Sequence, residues 1–89
     1  MGVKMKEFNY TIKDELGIHA RPAGLLVKEA GKYKSIITIQ KEDKSSDVKR
    51  LFGLMGLGVR NADTITVTVE GDDEETAYEA IKQFFEANL

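Results

Sequence analysis

The sequence predicts an α+β fold in the order βαββαβα, with helices packed on one face of a four-stranded, mainly antiparallel sheet. Three observations point there. Phe8, Tyr10 and Ile12, and later Ile65, Val67 and Val69, alternate with polar neighbours at the period of a half-buried strand. Ser35 to Lys41 is dense in β-branched residues, which suit a pleated surface. Two other stretches, one after His19 and one after Asp73, repeat apolar residues at helical spacing.

Along the chain, the first strand gives way to a loop from Asp14 to Ile18. A first helix is expected from about Ala20 to Gly31, because Ala23, Leu26, Val27 and Ala30 form one stripe at i, i+3, i+4 and i+7. Pro22 fixes its start, since a missing N–H costs nothing in the first turn but breaks a helix further in. Gly31 is the expected C-terminal cap. Ser35 to Lys41 is the second strand, Glu42-Asp43-Lys44 a turn, and Ser45 to Val48 a short third strand. The segment from Leu51 to Gly58 is apolar but broken by glycines, each costing ~1 kcal/mol relative to Ala inside a helix, so the helix expected there is short. Thr64 to Glu70 is the fourth strand. Gly71 to Glu75 then supplies a turn, an N-cap candidate and acidic residues for the first turn of a last helix. That helix is expected to bury Ala77, Ile81 and Phe84, with Tyr78 and Phe85 alongside. Element order alone equally allows ferredoxin-like regulatory and RNA-binding folds.

At 89 residues the chain is read as one domain with a single core; Met1 to Lys4 is open between an extension, a cloning remnant and an upstream start, with Met5 beginning the domain. Apolar residues at 42% and charged residues at 31% are ordinary for a globular chain. The absence of cysteine excludes disulfides, thiolate catalysis and Cys-based zinc sites together. A net charge of −2 argues against nonspecific nucleic-acid binding, and no base-stacking aromatic pair sits on a basic strand. No apolar run approaches the ~20 residues of a membrane span, so direct membrane insertion is not expected and the cytoplasm is the expected compartment. Gly53, Gly56 and Gly58 do not have the spacing of a nucleotide-binding glycine loop. No metal and no cofactor is expected: one histidine without cysteine makes no usual zinc site, and Asp72, Asp73, Glu74 and Glu75 read as helix N-terminal charge.

The one histidine lies in Gly17-Ile18-His19-Ala20-Arg21-Pro22, where loop turns into helix. A lone histidine at a helix start is most often a surface or capping residue. Its own chemistry and two neighbouring features give it more to do. A neutral imidazole is a competent nucleophile. The helix start, from Ala20 to Pro22, offers unpaired N–H groups and a positive dipole to an anion. Arg21 adds a planar donor able to grip two phosphoryl oxygens at once. Dipole and guanidinium both disfavour a further positive charge on the ring and welcome a negative cargo.

These residues resemble the phosphorylation site of HPr, the small histidine-containing phosphocarrier family of the bacterial sugar phosphotransferase system. The likeness runs from about Lys6 to the C-terminus. It continues through Val48 to Val59, which looks like the family's second helix and following loop, and through Thr64-Ile65-Thr66-Val67 with Gly71-Asp72-Asp73-Glu74. It implies an open-faced β-sandwich with three helices on one side of the sheet. It also implies that His19 accepts a phosphoryl group at Nδ1 from phosphorylated enzyme I and passes it to enzyme IIA, with Arg21 in support. Phosphoenolpyruvate is the upstream donor. Such a chain is a covalent relay rather than an enzyme with free substrate turnover. The resemblance further implies a partner-binding face built from Leu25, Lys28, Phe52 and Met55. The alternative is an HPr-like regulatory module that binds partners without carrying cargo.

The chain departs from the family at three places. Arg50 stands where regulated members carry a serine phosphorylated by a dedicated kinase, so that kinase is not an expected partner; Arg50 is instead read as a contact for an acidic patch on enzyme I or enzyme IIA. A four-residue slip would be needed for Ser46 to take the serine's place. Ser46 also replaces a usual apolar residue of the third strand, and Leu16 stands where a small polar residue often approaches the imidazole.

Overall fold

The computed structural model describes residues 5–89, and the reading of Met1 to Lys4 lies outside the described residues. The elements run β1 (Lys6–Thr11), α1 (Ala20–Ala30), β2 (Ile36–Lys41), β3 (Lys44–Asp47), α2 (Leu51–Gly56), β4 (Thr64–Glu70) and α3 (Glu74–Asn88). The strands form one sheet in the order β1-β4-β2-β3, every neighbouring pair antiparallel.

Alternation decides which face of the sheet is covered. Phe8 pairs with Val67, and Ile37 and Ile39 pair with Val69 and Val67, so these side chains share one face and are buried. Thr66, Thr68, Thr38 and Gln40 share the other, which no helix among the described residues covers; Ile36 is exposed there. Burying a Val or Ile side chain contributes roughly 1.5–3 kcal/mol, so a one-residue register slip would forfeit the whole inner face. Ala23, Leu26 and Ala30 of α1, Leu54 of α2 and Ala77, Ile81 and Phe85 of α3 close the core from above. Val27 is half-buried at its rim.

Several expectations shift. Phe85, not Phe84, is the fully buried aromatic of α3. The helical stripe runs Ala77, Ile81, Phe85, and the Phe85 ring meets Phe8 and Tyr10 of β1 edge-on at 5.7 and 5.6 Å. Phe84 packs against it at the rim, 6.5 Å away. β3 lies one residue earlier than expected: Val48 leaves the strand but stays buried and donates its N–H to Ile37 O at 2.8 Å. α2 stops at Gly56, with Leu57 still buried. Gly31 ends α1 with φ −64°, so the left-handed freedom of glycine is not used there. Among the described residues, no helix is long and apolar enough to cross a membrane.

The acidic turn before α3 is tied into the protein. Asp73 holds the N-cap position, yet its carboxylate reaches back to accept Lys34 N–H at 2.8 Å, Ser35 N–H at 2.9 Å and Ser35 O–H at 2.5 Å. These donors, Ser35 O–H foremost, hold the Asp73 carboxyl below its ordinary value. Glu74 accepts Gly71 N–H at 3.1 Å.

Candidate functional site

His19 is the N-cap of α1, with φ −94° and ψ −177°. Its carbonyl accepts Ala23 N–H at 3.0 Å, the first bond of the helix. By helix geometry the N–H groups of Ala20 and Arg21 have no acceptor inside α1, and Pro22 has none to offer. The His19 side chain makes no capping bond. It is 36% exposed, so the imidazole is open to an incoming group.

The loop that presents the ring is held from three sides. Gly17 N–H donates to Asp14 O at 3.0 Å, closing a turn, and Asp14 Oδ1 accepts Leu16 N–H at 2.8 Å. Asp14 at the first position and Gly17 at the fourth are what such a turn favours. Lys13 and Asp14 both donate their N–H groups to Leu89 O, at 2.6 and 2.8 Å. Ile18 N–H donates to Val59 O at 3.1 Å. Val59 sits in a segment that is itself clamped. Asp63 accepts Arg60 N–H at 2.8 Å and pairs with Lys41 Nζ at 3.0 Å, and Lys41 also donates to Gly58 O at 2.8 Å. The Arg60 N–H and the Lys41 ammonium hold the Asp63 carboxyl below its ordinary value.

Around the ring lies a pocket of about 210 Å³ lined by Asp14, His19, Arg21, Pro22, Leu25 and Asn88. The His19–Arg21–Pro22 expectation and Leu25 therefore meet in one place. Lys28 is exposed one turn further along α1. Phe52 and Met55, on α2, are 85% and 36% exposed, and α2 packs beside α1. Phe52 and Arg50 line a separate hollow against Ser46 and Asp47 of β3. Arg50 occupies the N-cap position of α2, and Ser46 lies within β3 opposite Ile39, so the two positions are distinct elements rather than neighbours in one helix start. Leu16 is 71% exposed, with its side chain in solvent.

Asp14 is the residue sequence reasoning missed. Its Oδ1 lies 3.9 Å from His19 Nε2. The turn signal of Asp14 and Gly17 was readable, but only the fold-back of that turn brings the carboxylate to the ring.

A small α+β domain that offers one open imidazole at a helix N-terminus is an arrangement able to take up a covalent group from solution. The family model described as "PTS HPr component phosphorylation site" matches residues 6–87. The chain is 45% identical over 85 residues to the phosphocarrier protein HPr of Mycoplasma genitalium, covering 94% of this chain and 97% of that one. It is 42% identical over 82 residues to the HPr-like protein Crh of Halalkalibacterium halodurans, covering 92% and 98%. The crystal structure of HPr-C-His from Thermoanaerobacter tengcongensis superposes with a TM-score of 0.88 at 40% identity, covering 92% of both chains. The chain belongs to the HPr family of the phosphotransferase system.

Proposed function

We propose that the chain carries a phosphoryl group on His19 within the sugar phosphotransferase system, receiving it from enzyme I and delivering it to enzyme IIA in the cytoplasm. The observation that carries this reading is the position of the ring: the one imidazole of the chain stands open at the N-cap of α1, in the same pocket as Arg21.

Phosphoryl transfer asks mainly for in-line positioning and charge stabilisation. The neutral ring attacks phosphorus through a nitrogen lone pair as the donor's bond to phosphorus breaks. The free N–H groups of Ala20 and Arg21 and the α1 dipole face the arriving oxygens, and Pro22 pre-sets the first turn that aims them. Arg21 supplies parallel donors without burying the group, so the cargo remains transferable. Leu25, Lys28, Phe52 and Met55 form the apolar and basic surface on which partners dock, and Met suits a face that must accept more than one of them. Arg50 adds a positive contact for acidic partner surfaces and removes the hydroxyl that a serine kinase would need.

Incubation with enzyme I and phosphoenolpyruvate is expected to add one acid-labile phosphoryl group. His19→Ala is expected to abolish it. Labelling that survives this substitution, or a wild type that takes no label, overturns the reading.

A further inference from the structure

We infer that Asp14 is a positioning residue whose carboxylate keeps the imidazole proton of His19 on Nε2 and so leaves the lone pair on Nδ1 for the phosphoryl group. The inference rests on His19 being the acceptor. Four observations lead to it. Nε2 is the ring nitrogen that faces the carboxylate, at 3.9 Å from Oδ1. That oxygen is already fixed by Leu16 N–H at 2.8 Å, and the Asp14 backbone is fixed by Leu89 O at 2.8 Å, so the carboxylate does not have to be ordered when the ring reacts. Both groups line one pocket. The ring makes no capping bond to the helix, so no backbone N–H already sets its tautomer.

A neutral imidazole carries one proton and one lone pair, and its tautomer follows whichever nitrogen has the better acceptor. The Asp14 carboxylate, with Oδ1 3.9 Å from Nε2 and so about 1 Å beyond hydrogen-bond distance, is the strongest acceptor the pocket contains, and a small rotation of the ring closes that gap. Arg21, from α1, faces the same pocket and repels a proton from either nitrogen; Asn88, from the end of α3, contributes no charge. In the transfer step the Nδ1 lone pair forms the N–P bond. The bond between phosphorus and the phosphorylated donor protein breaks, its electron pair staying with the donor. The proton remains on Nε2, where Asp14 faces the positive charge that the ring acquires. Both side chains are about one-third exposed, 36% and 31%, so water screens the effect and it stays modest.

The test is the tautomer ratio of His19 in ¹⁵N-labelled, unphosphorylated protein, read from long-range ¹H–¹⁵N imidazole spectra in alkaline solution where the ring holds one proton. Asp14→Asn keeps an oxygen for Leu16 N–H and removes the charge; Asp14→Ser does the same with a shorter side chain, should the first variant misfold. The ratio of Nε2–H to Nδ1–H is expected to fall roughly threefold or more in either variant, with the amide shifts of Gly17 and Val59 unchanged. A ratio that stays the same in a folded variant overturns the inference, whether or not the wild type takes label. Failure of the wild type to take label is a separate result and overturns the reading beneath it.

Discussion

Val59 and Gly17 approach so closely that a β-carbon on Gly17 would strike the Val59 carbonyl oxygen, and Gly17 has φ +68°. The same carbonyl accepts the N–H of Ile18, one residue before the imidazole. Backbone contact between two distant segments thus sets where the reactive ring stands. Gly17→Ala must both relieve that contact and adopt a left-handed conformation, costing on the order of 1–3 kcal/mol. Chemical denaturation should show this loss, and phosphoryl uptake should slow in protein that remains folded.

Arg21 is exposed in the His19 pocket, so its substitution should leave the fold intact. Arg21→Lys keeps the charge but loses the paired, planar donors. Transfer measured by rapid quench is expected to fall roughly tenfold for Lys and more for Ala, about 1.4 kcal/mol per factor of ten.

Phe52 separates stability from docking. At 85% exposure its ring contributes little to the core. Phe52→Ala should change unfolding free energy by less than about 0.5 kcal/mol, while weakening enzyme I binding by roughly 1–3 kcal/mol if titrated calorimetrically.

Arg50 sits exposed at the N-cap position of α2 without a capping bond, a place where positive charge is locally unfavourable. Arg50→Ser should therefore not destabilise the helix. It should slow transfer several-fold at low salt and much less at high salt, where the Debye length shrinks to about 3 Å at 1 M. Equal rates across the salt series would remove Arg50 from the docking surface.

Asp73 ties the start of α3 to the start of β2. Its carboxyl lies below its ordinary value because Ser35 O–H, then Lys34 N–H, donate to the ionised form. A carboxyl depressed on folding contributes stability above its unfolded value, near 4, and loses it as pH falls through the lower folded value. Acid denaturation followed by circular dichroism should thus be shallower in Asp73→Asn, which has no charge to lose. The variant should also be less stable near neutrality, because its amide can present an N–H to the Lys34 or Ser35 donors.

The fold was legible wherever one periodicity ruled a whole element. Thr64–Glu70 emerges with the expected bounds because its inward residues are all β-branched and its outward ones polar. Pro22 anchored α1 for a steric reason that no tertiary contact could override. The sequence was ambiguous where two aromatics stand side by side: a one-residue rotation of α3 exchanges Phe84 for Phe85, and only the rings of Phe8 and Tyr10 decide between them. At the site, His19, Arg21 and Pro22 were readable because they are contiguous. Asp14 was not, since its proximity to Nε2 arises from the fold-back of a turn pinned at Leu89 and Val59, two places far off in the chain.

The bare side of the sheet offers an experimental handle. Gln40 is exposed there, in register with Thr66 and Ser45 and away from the helices that carry the imidazole. Because the chain has no thiol of its own, Gln40→Cys would create a unique attachment point. A dye or a surface tether fixed at that point would leave the relay free to meet donor and acceptor, so individual handovers could be timed one molecule at a time.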